Sequence, residues 1–158
     1  MQRVEQPNRW SCLPAAFATV LELDFGTITT LIGHDGSDIL YPELKEPFNH
    51  RGFHIQELIR VAWQLGYSVT QFQVLPQMQH GEHYRQLYHW TDGQKQMSVL
   101  LAQANAVITG LNDAGNHHAI AWDCAKGRML DPARHVCNVN SFRVESVWML
   151  QRFAASNL

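Results

Sequence analysis

Pro14 decides where the first helix can start. It sits in an apolar, Ala-rich stretch in which Leu13, Ala16, Phe17, Val20, Leu21 and Leu23 recur at helical spacing. A proline has no N–H to donate, and its ring collides with the preceding turn, so a helix tolerates it only in the first turn. The helix therefore begins at or beside Cys12. Unpaired backbone N–H groups point outward there and favour an anion, so this is a place to form and use a thiolate. Alone, such a cysteine would more often be a small buried hydrophobe. What the rest of the chain supplies decides between the two.

Downstream, Asp24-Phe25-Gly26 is expected to end this helix, with a short second helix from Thr27 to Ile32 and a surface turn at Gly33 to Asp38 holding His34 and Asp35. Residues 39 to 53 read as an extended loop. An amphipathic helix follows over His54 to Leu65, burying Ile55, Leu58, Ile59, Ala62 and Leu65; Gly66 closes it, and Tyr67 to Leu75 alternates as a strand. Residues 76 to 93 are polar and rich in histidine and aromatics, with a weakly signalled helix. Another helix spans Gln94 to Ala104, a buried strand Ala106 to Leu111, and a turn Asn112 to Asn116.

Two strands then face each other, His117 to Asp123 and Arg128 to Pro132, joined by a tight turn. Opposed ends of a hairpin are neighbours in space, which brings His118 next to Asp131. Pro132 stops the strand at once and leaves Asp131 at an edge. Val147 to Phe153 forms the last strand, with Trp148 inside. His117 competes with His118, but successive strand residues face opposite sides and only one of them can point at Cys12. Asp113 and Asp123 compete with Asp131, which alone ends a strand before proline.

A reactive thiol needs a base, a group to orient that base, and donors for the oxyanion formed on attack. Cys12, His118 and Asp131 supply the first three parts. Gln6, six residues before Cys12, offers a side-chain amide beside the Cys12 N–H. Trp10 either packs against the cysteine loop or walls a groove.

These residues resemble the papain-like cysteine peptidases, and among them the C39 peptidase-like family. Gln6 with Cys12, His118-Ala-Ile-Ala-Trp, and Leu130-Asp131-Pro132 match its motifs, as does Arg51-Gly52-Phe53 leading through a helix to Leu65-Gly66-Tyr67. Ser11 stands where the family often has Asp or Glu, and Pro14 where small residues are usual. The resemblance implies an α+β papain-like fold with the cysteine helix packed on a small antiparallel sheet. It also implies a cysteine peptidase using Cys12, His118, Asp131 and Gln6, of the stand-alone kind without transporter domains, acting on a peptide or protein substrate. Deamidation or amine transfer would use the same groups, and a catalytically idle binding module on the same fold is the alternative from another class.

Composition narrows the remaining choices. The 158 residues fit one domain, and 46% hydrophobic against 16% charged residues excludes a disordered chain. A net charge of −2 without a basic run speaks against nucleic acid and anionic membranes as partners. No apolar run reaches bilayer length and the N-terminus lacks a signal peptide's apolar core, so the expected compartment is the cytoplasm. Three cysteines without C-x-x-C spacing point to free thiols, with Cys124 and Cys137 incidental. No cofactor is expected. His80-x-x-His83 is the best metal spacing available, but it lacks local Cys or acidic partners, and no metal site is expected from it.

Overall fold

A computed structural model describes residues 1–40, 42–45, 50–73, 97–133 and 142–153. Among the described residues the helices α1 (Cys12–Leu21), α2 (Phe25–Ile32) and α3 (Ile55–Gln64) accompany two sets of strands. β1 (Ile39–Leu40) and β2 (His50–Arg51) form a small antiparallel pair. β3 (Tyr67–Gln73), β4 (Ala106–Leu111), β5 (His117–Asp123), β6 (Arg128–Leu130) and β7 (Arg143–Arg152) form a five-stranded antiparallel sheet in the order β3-β7-β4-β5-β6. The class is α+β.

α1 starts at Cys12, as Pro14 requires, and ends at Leu21, where Glu22 takes the left-handed conformation. Every residue from Pro14 to Leu21 is buried, because the helix lies on β5 and β4 on one side and meets α2 and α3 on the other. Thr19 is the polar exception in this run. Its hydroxyl donates to Ala15 O (2.9 Å) and accepts the Val4 N–H (2.9 Å), which lays the N-terminal strand of chain along the helix without leaving a buried polar group unpaired.

The second helix begins earlier than expected. Asp24 does not stop helical structure but caps a new helix, its carboxylate accepting the Thr27 N–H at 2.8 Å, so Phe25 and Gly26 lie inside α2. α3 keeps the expected position, with His54 and Glu57 forming a reciprocal cap at its start. Its buried face is Leu58, Val61 and Ala62; Leu65, expected inside, is exposed.

Strand alternation splits the core in two. Val107, Ala119 and Ala121 point to the helices, whereas Ala106, Ile108 and Ile120 point to the other face, where Leu101, Phe142 and Val147 cover them. β7 starts at Arg143 rather than Val147 and runs between β3 and β4. Trp148 is half-buried, its indole N–H donating to Thr109 Oγ1 at 3.1 Å. Residues 97–101 are helical within the span expected from 94 to 104. The segment 76–93, the end of the strand expected to reach Leu75, His80, His83, His89, His135 and Cys137 lie outside the described residues. Among those described, no single helix is long and apolar enough to cross a bilayer.

Candidate active site

The β5–β6 hairpin turns at 124–127, with Gly127 at φ 57°. Register pairs Ala121 with Leu130, so Asp131, one residue past β6, comes level with Ile120 and diagonal to His118 on the same face. His118 Nε2 and Asp131 Oδ1 are 2.8 Å apart, and both side chains are about nine-tenths buried, at 10% and 12% exposure. The same carboxylate oxygen accepts the Ala133 N–H at 2.8 Å, which fixes the aspartate rotamer. Asp123, by contrast, lies at the far end of β5, buried near Arg128 and the N-terminal amine. Asp113 stands in the β4–β5 turn.

Cys12 lies close enough to His118 to favour the protonated ring. With Nε2 engaged by Asp131, Nδ1 is the ring nitrogen left for the thiol. Burial alone would push the imidazole down. The hydrogen bond to Asp131, the nearby Cys12 and the Asp131 charge outweigh it and push His118 up to about 9. Phe142 meets the ring edge-on with centroids 6.4 Å apart, limiting its rotation from the remaining side. His117 faces away as alternation demands, 84% exposed, with Nδ1 3.4 Å from Glu145.

The loop before α1 is organised by a residue that the sequence reading passed over. Asn8 Oδ1 accepts the Trp10 N–H (3.2 Å) and the Ser11 hydroxyl, while the Asn8 carbonyl accepts the Gln6 side-chain amide (2.9 Å) and the Ser11 N–H (3.4 Å). One asparagine thus sets both Gln6 and the start of the cysteine helix. The Asn-x-x-Ser spacing was the available signal, since asparagine readily forms such local turns. Ser11 spends its hydroxyl on Asn8, so it does not cap α1, and the first-turn N–H groups of Cys12 and Leu13 receive no side-chain cap. Because a carbonyl oxygen only accepts and the Gln6 amide can donate only through its nitrogen, this contact also fixes which end of the amide faces Asn8. The Gln6 backbone N–H donates to Pro132 O at 3.1 Å, tying the cysteine loop to the residue after Asp131.

Comparison with protein-family models and with curated proteins finds no match to this chain.

Gln6, His118 and Asp131 line a groove of about 950 Å³ together with Trp10, Arg9, Arg51 and the turn 112–116. Cys12 is half-buried and free of any disulfide. Trp10 therefore walls the groove, and the Arg51 guanidinium lies 5.2 Å over its ring. His34, expected as plain surface, is instead half-buried: Nε2 sits 2.8 Å from Glu57, Nδ1 accepts the Gly36 N–H at 3.0 Å, and the ring stacks on Phe53. The chemistry available in the groove is that of a thiol at an uncapped helix start next to a buried, carboxylate-held imidazole. Such a pair can exchange a proton and attack a carbonyl carbon, with amide donors from Gln6 and the Cys12 backbone nearby.

Proposed function

We propose that the chain is a papain-like cysteine peptidase, hydrolysing an amide bond through Cys12, His118, Asp131 and Gln6. The observation that carries this reading is the imidazole that Asp131 holds at 2.8 Å in the lining of an open groove, with the Cys12 thiol close enough to favour its protonated form. The order Gln, Cys, His, Asp and the C39-like motifs around them agree with it.

In the proposed reaction the Cys12 thiolate attacks the carbonyl carbon and a C–S bond forms. The carbonyl electrons move to oxygen, where the Cys12 N–H and the Gln6 amide stabilise them. Imidazolium His118 gives its proton to the leaving nitrogen as the C–N bond breaks, producing an amine and a thioester. Water then attacks the thioester, His118 takes the water's proton, and the C–S bond breaks to release the carboxylic acid. Asp131 keeps the ring in the productive tautomer throughout.

The test has two parts. An electrophilic thiol probe near neutral pH is expected to label Cys12 faster than Cys124 and Cys137. The proteomes of cells making wild type and Cys12→Ala should differ in new chain termini. Equal labelling of all three thiols together with identical proteomes defeats the enzyme reading and leaves a binding module. Altered Gln or Asn side chains in place of new termini would move the assignment to deamidation or amine transfer.

A further inference from the structure

Two arginines, Arg9 and Arg51, flank Trp10 in the lining of the groove, and among the described residues no carboxylate pairs with either. Arg51 is held over the Trp10 ring, a contact that orders a guanidinium without cancelling its charge. Its position is further set by the next residue, Gly52, whose N–H donates to Gly36 O at 3.1 Å. The rest of the lining differs: Asn112 spends its side-chain oxygen on the Ala114 and Asn116 N–H groups of its own turn, His117 stands beside Glu145, and the carboxylates are those of Asp113 and of Asp131, which His118 engages. With an overall net charge of −2, this cationic wall is a local feature and not part of a basic surface.

A guanidinium that is ordered, uncompensated and next to a reacting centre is suited to a planar oxyanion, since its fork of N–H donors matches a carboxylate. We propose that the groove takes an amide substrate bearing a carboxylate, which seats against Arg9 and Arg51 beside the Trp10 ring while the scissile carbonyl faces Cys12. This rests on the reading of Cys12 as the nucleophile. The carboxylate belongs either to an acidic side chain or to a free C-terminus.

Two alkylating reagents of nearly equal size separate the inference from the reading beneath it. Iodoacetate carries the carboxylate and iodoacetamide does not; the rate at each cysteine of the full chain is followed by peptide mass mapping. The ratio of iodoacetate to iodoacetamide rates at Cys12 is expected to fall about three- to tenfold in Arg9→Gln/Arg51→Gln, and to fall in wild type as salt is added. A ratio that the double substitution leaves unchanged, at a Cys12 that does react, overturns this inference alone. A Cys12 that reacts with iodoacetamide no faster than Cys124 overturns both. Protection of Cys12 by blocked peptides then identifies the source. A glutamate peptide outperforming its glutamine counterpart assigns an acidic side chain, and a glutamine peptide with a free C-terminus outperforming its amidated form assigns the chain end. Equal protection by all of them overturns the proposal.

Discussion

His118 with Asp131 and His34 with Glu57 are the same pair of groups at the same Nε2 to carboxylate distance of 2.8 Å, yet they do different things. The difference lies at the other ring nitrogen. Nδ1 of His34 is closed by the Gly36 N–H, and Phe53 stacks on the ring, so the imidazole joins the turn after α2 to the start of α3. Nδ1 of His118 is left for Cys12. A histidine whose Nδ1 is closed by a backbone N–H is a cross-brace; one whose Nδ1 is left toward a thiol has a partner for proton exchange. The carboxylate partner, which attracts notice first, does not separate structure from chemistry here.

Removing each imidazole should break the comparison most sharply. His118→Ala is expected to lower turnover, or the rate of Cys12 alkylation near neutral pH, by about a thousandfold or more. His34→Ala should leave Cys12 alkylation by iodoacetamide within about twofold, because no part of that pair touches the thiol. Comparable losses in the two variants would show that the distinction drawn at Nδ1 is empty. A smaller effect is expected for Asp131→Ala. Its readout is the His118 imidazolium titration followed by NMR, which should fall by about one to two units from its present position near 9 as the hydrogen bond and the charge are lost. An unmoved titration would assign the upward shift to Cys12.

Stability offers a subtler comparison. Because folding raises His118 from its ordinary 6.5 to about 9, the folded protein binds its proton more tightly than the unfolded chain does. That contribution is complete below about 6.5 and is lost as pH rises through about 9. Urea unfolding across this window should show wild type losing stability with rising pH more steeply than His118→Gln; parallel curves would contradict the raised value. The smallest effect belongs to the brace. His34→Ala should cost about 1 kcal/mol of stability from one half-buried hydrogen-bonded pair, visible as a drop of a few degrees in Tm.

What the sequence made legible was local. Pro14 placed the start of α1 and the Asp-Pro step placed the end of the hairpin, each from residues within a few positions of the feature; strand parity allowed only one of His117 and His118 to face Cys12, and the likeness of His118-Ala-Ile-Ala-Trp to the family motif chose His118. The misses are either ambiguous punctuation or long-range. Asp24 can end one helix or begin the next, and only the Thr27 contact shows that it does the latter. His34 looked like turn surface because its partner Glu57 is 23 residues away. The central position of β7 could not be read at all. An alternating strand carries no mark of its neighbours, and β7 pairs with β3, far earlier in the chain, as well as with β4. The papain-like assignment rests on short motifs and remains the proposal made above.

Gly110 shows how tightly that last strand is seated. It pairs with His118 on one side, and on the other its α-carbon lies so near β7 that an added methyl would sit 2.2 Å from the Arg143 carbonyl oxygen and 3.0 Å from the Phe142 ring. Phe142, just ahead of β7, is the residue that meets the His118 ring. The sheet is therefore continuous, and the imidazole walled, only once residues 142–152 are in place between strands made long before. Cys12 opens α1, whereas β7 is the last strand of the sheet in chain order. A chain made from α1 onward therefore carries the thiol before the wall beside His118 exists, and the two come together only when β7 closes the sheet.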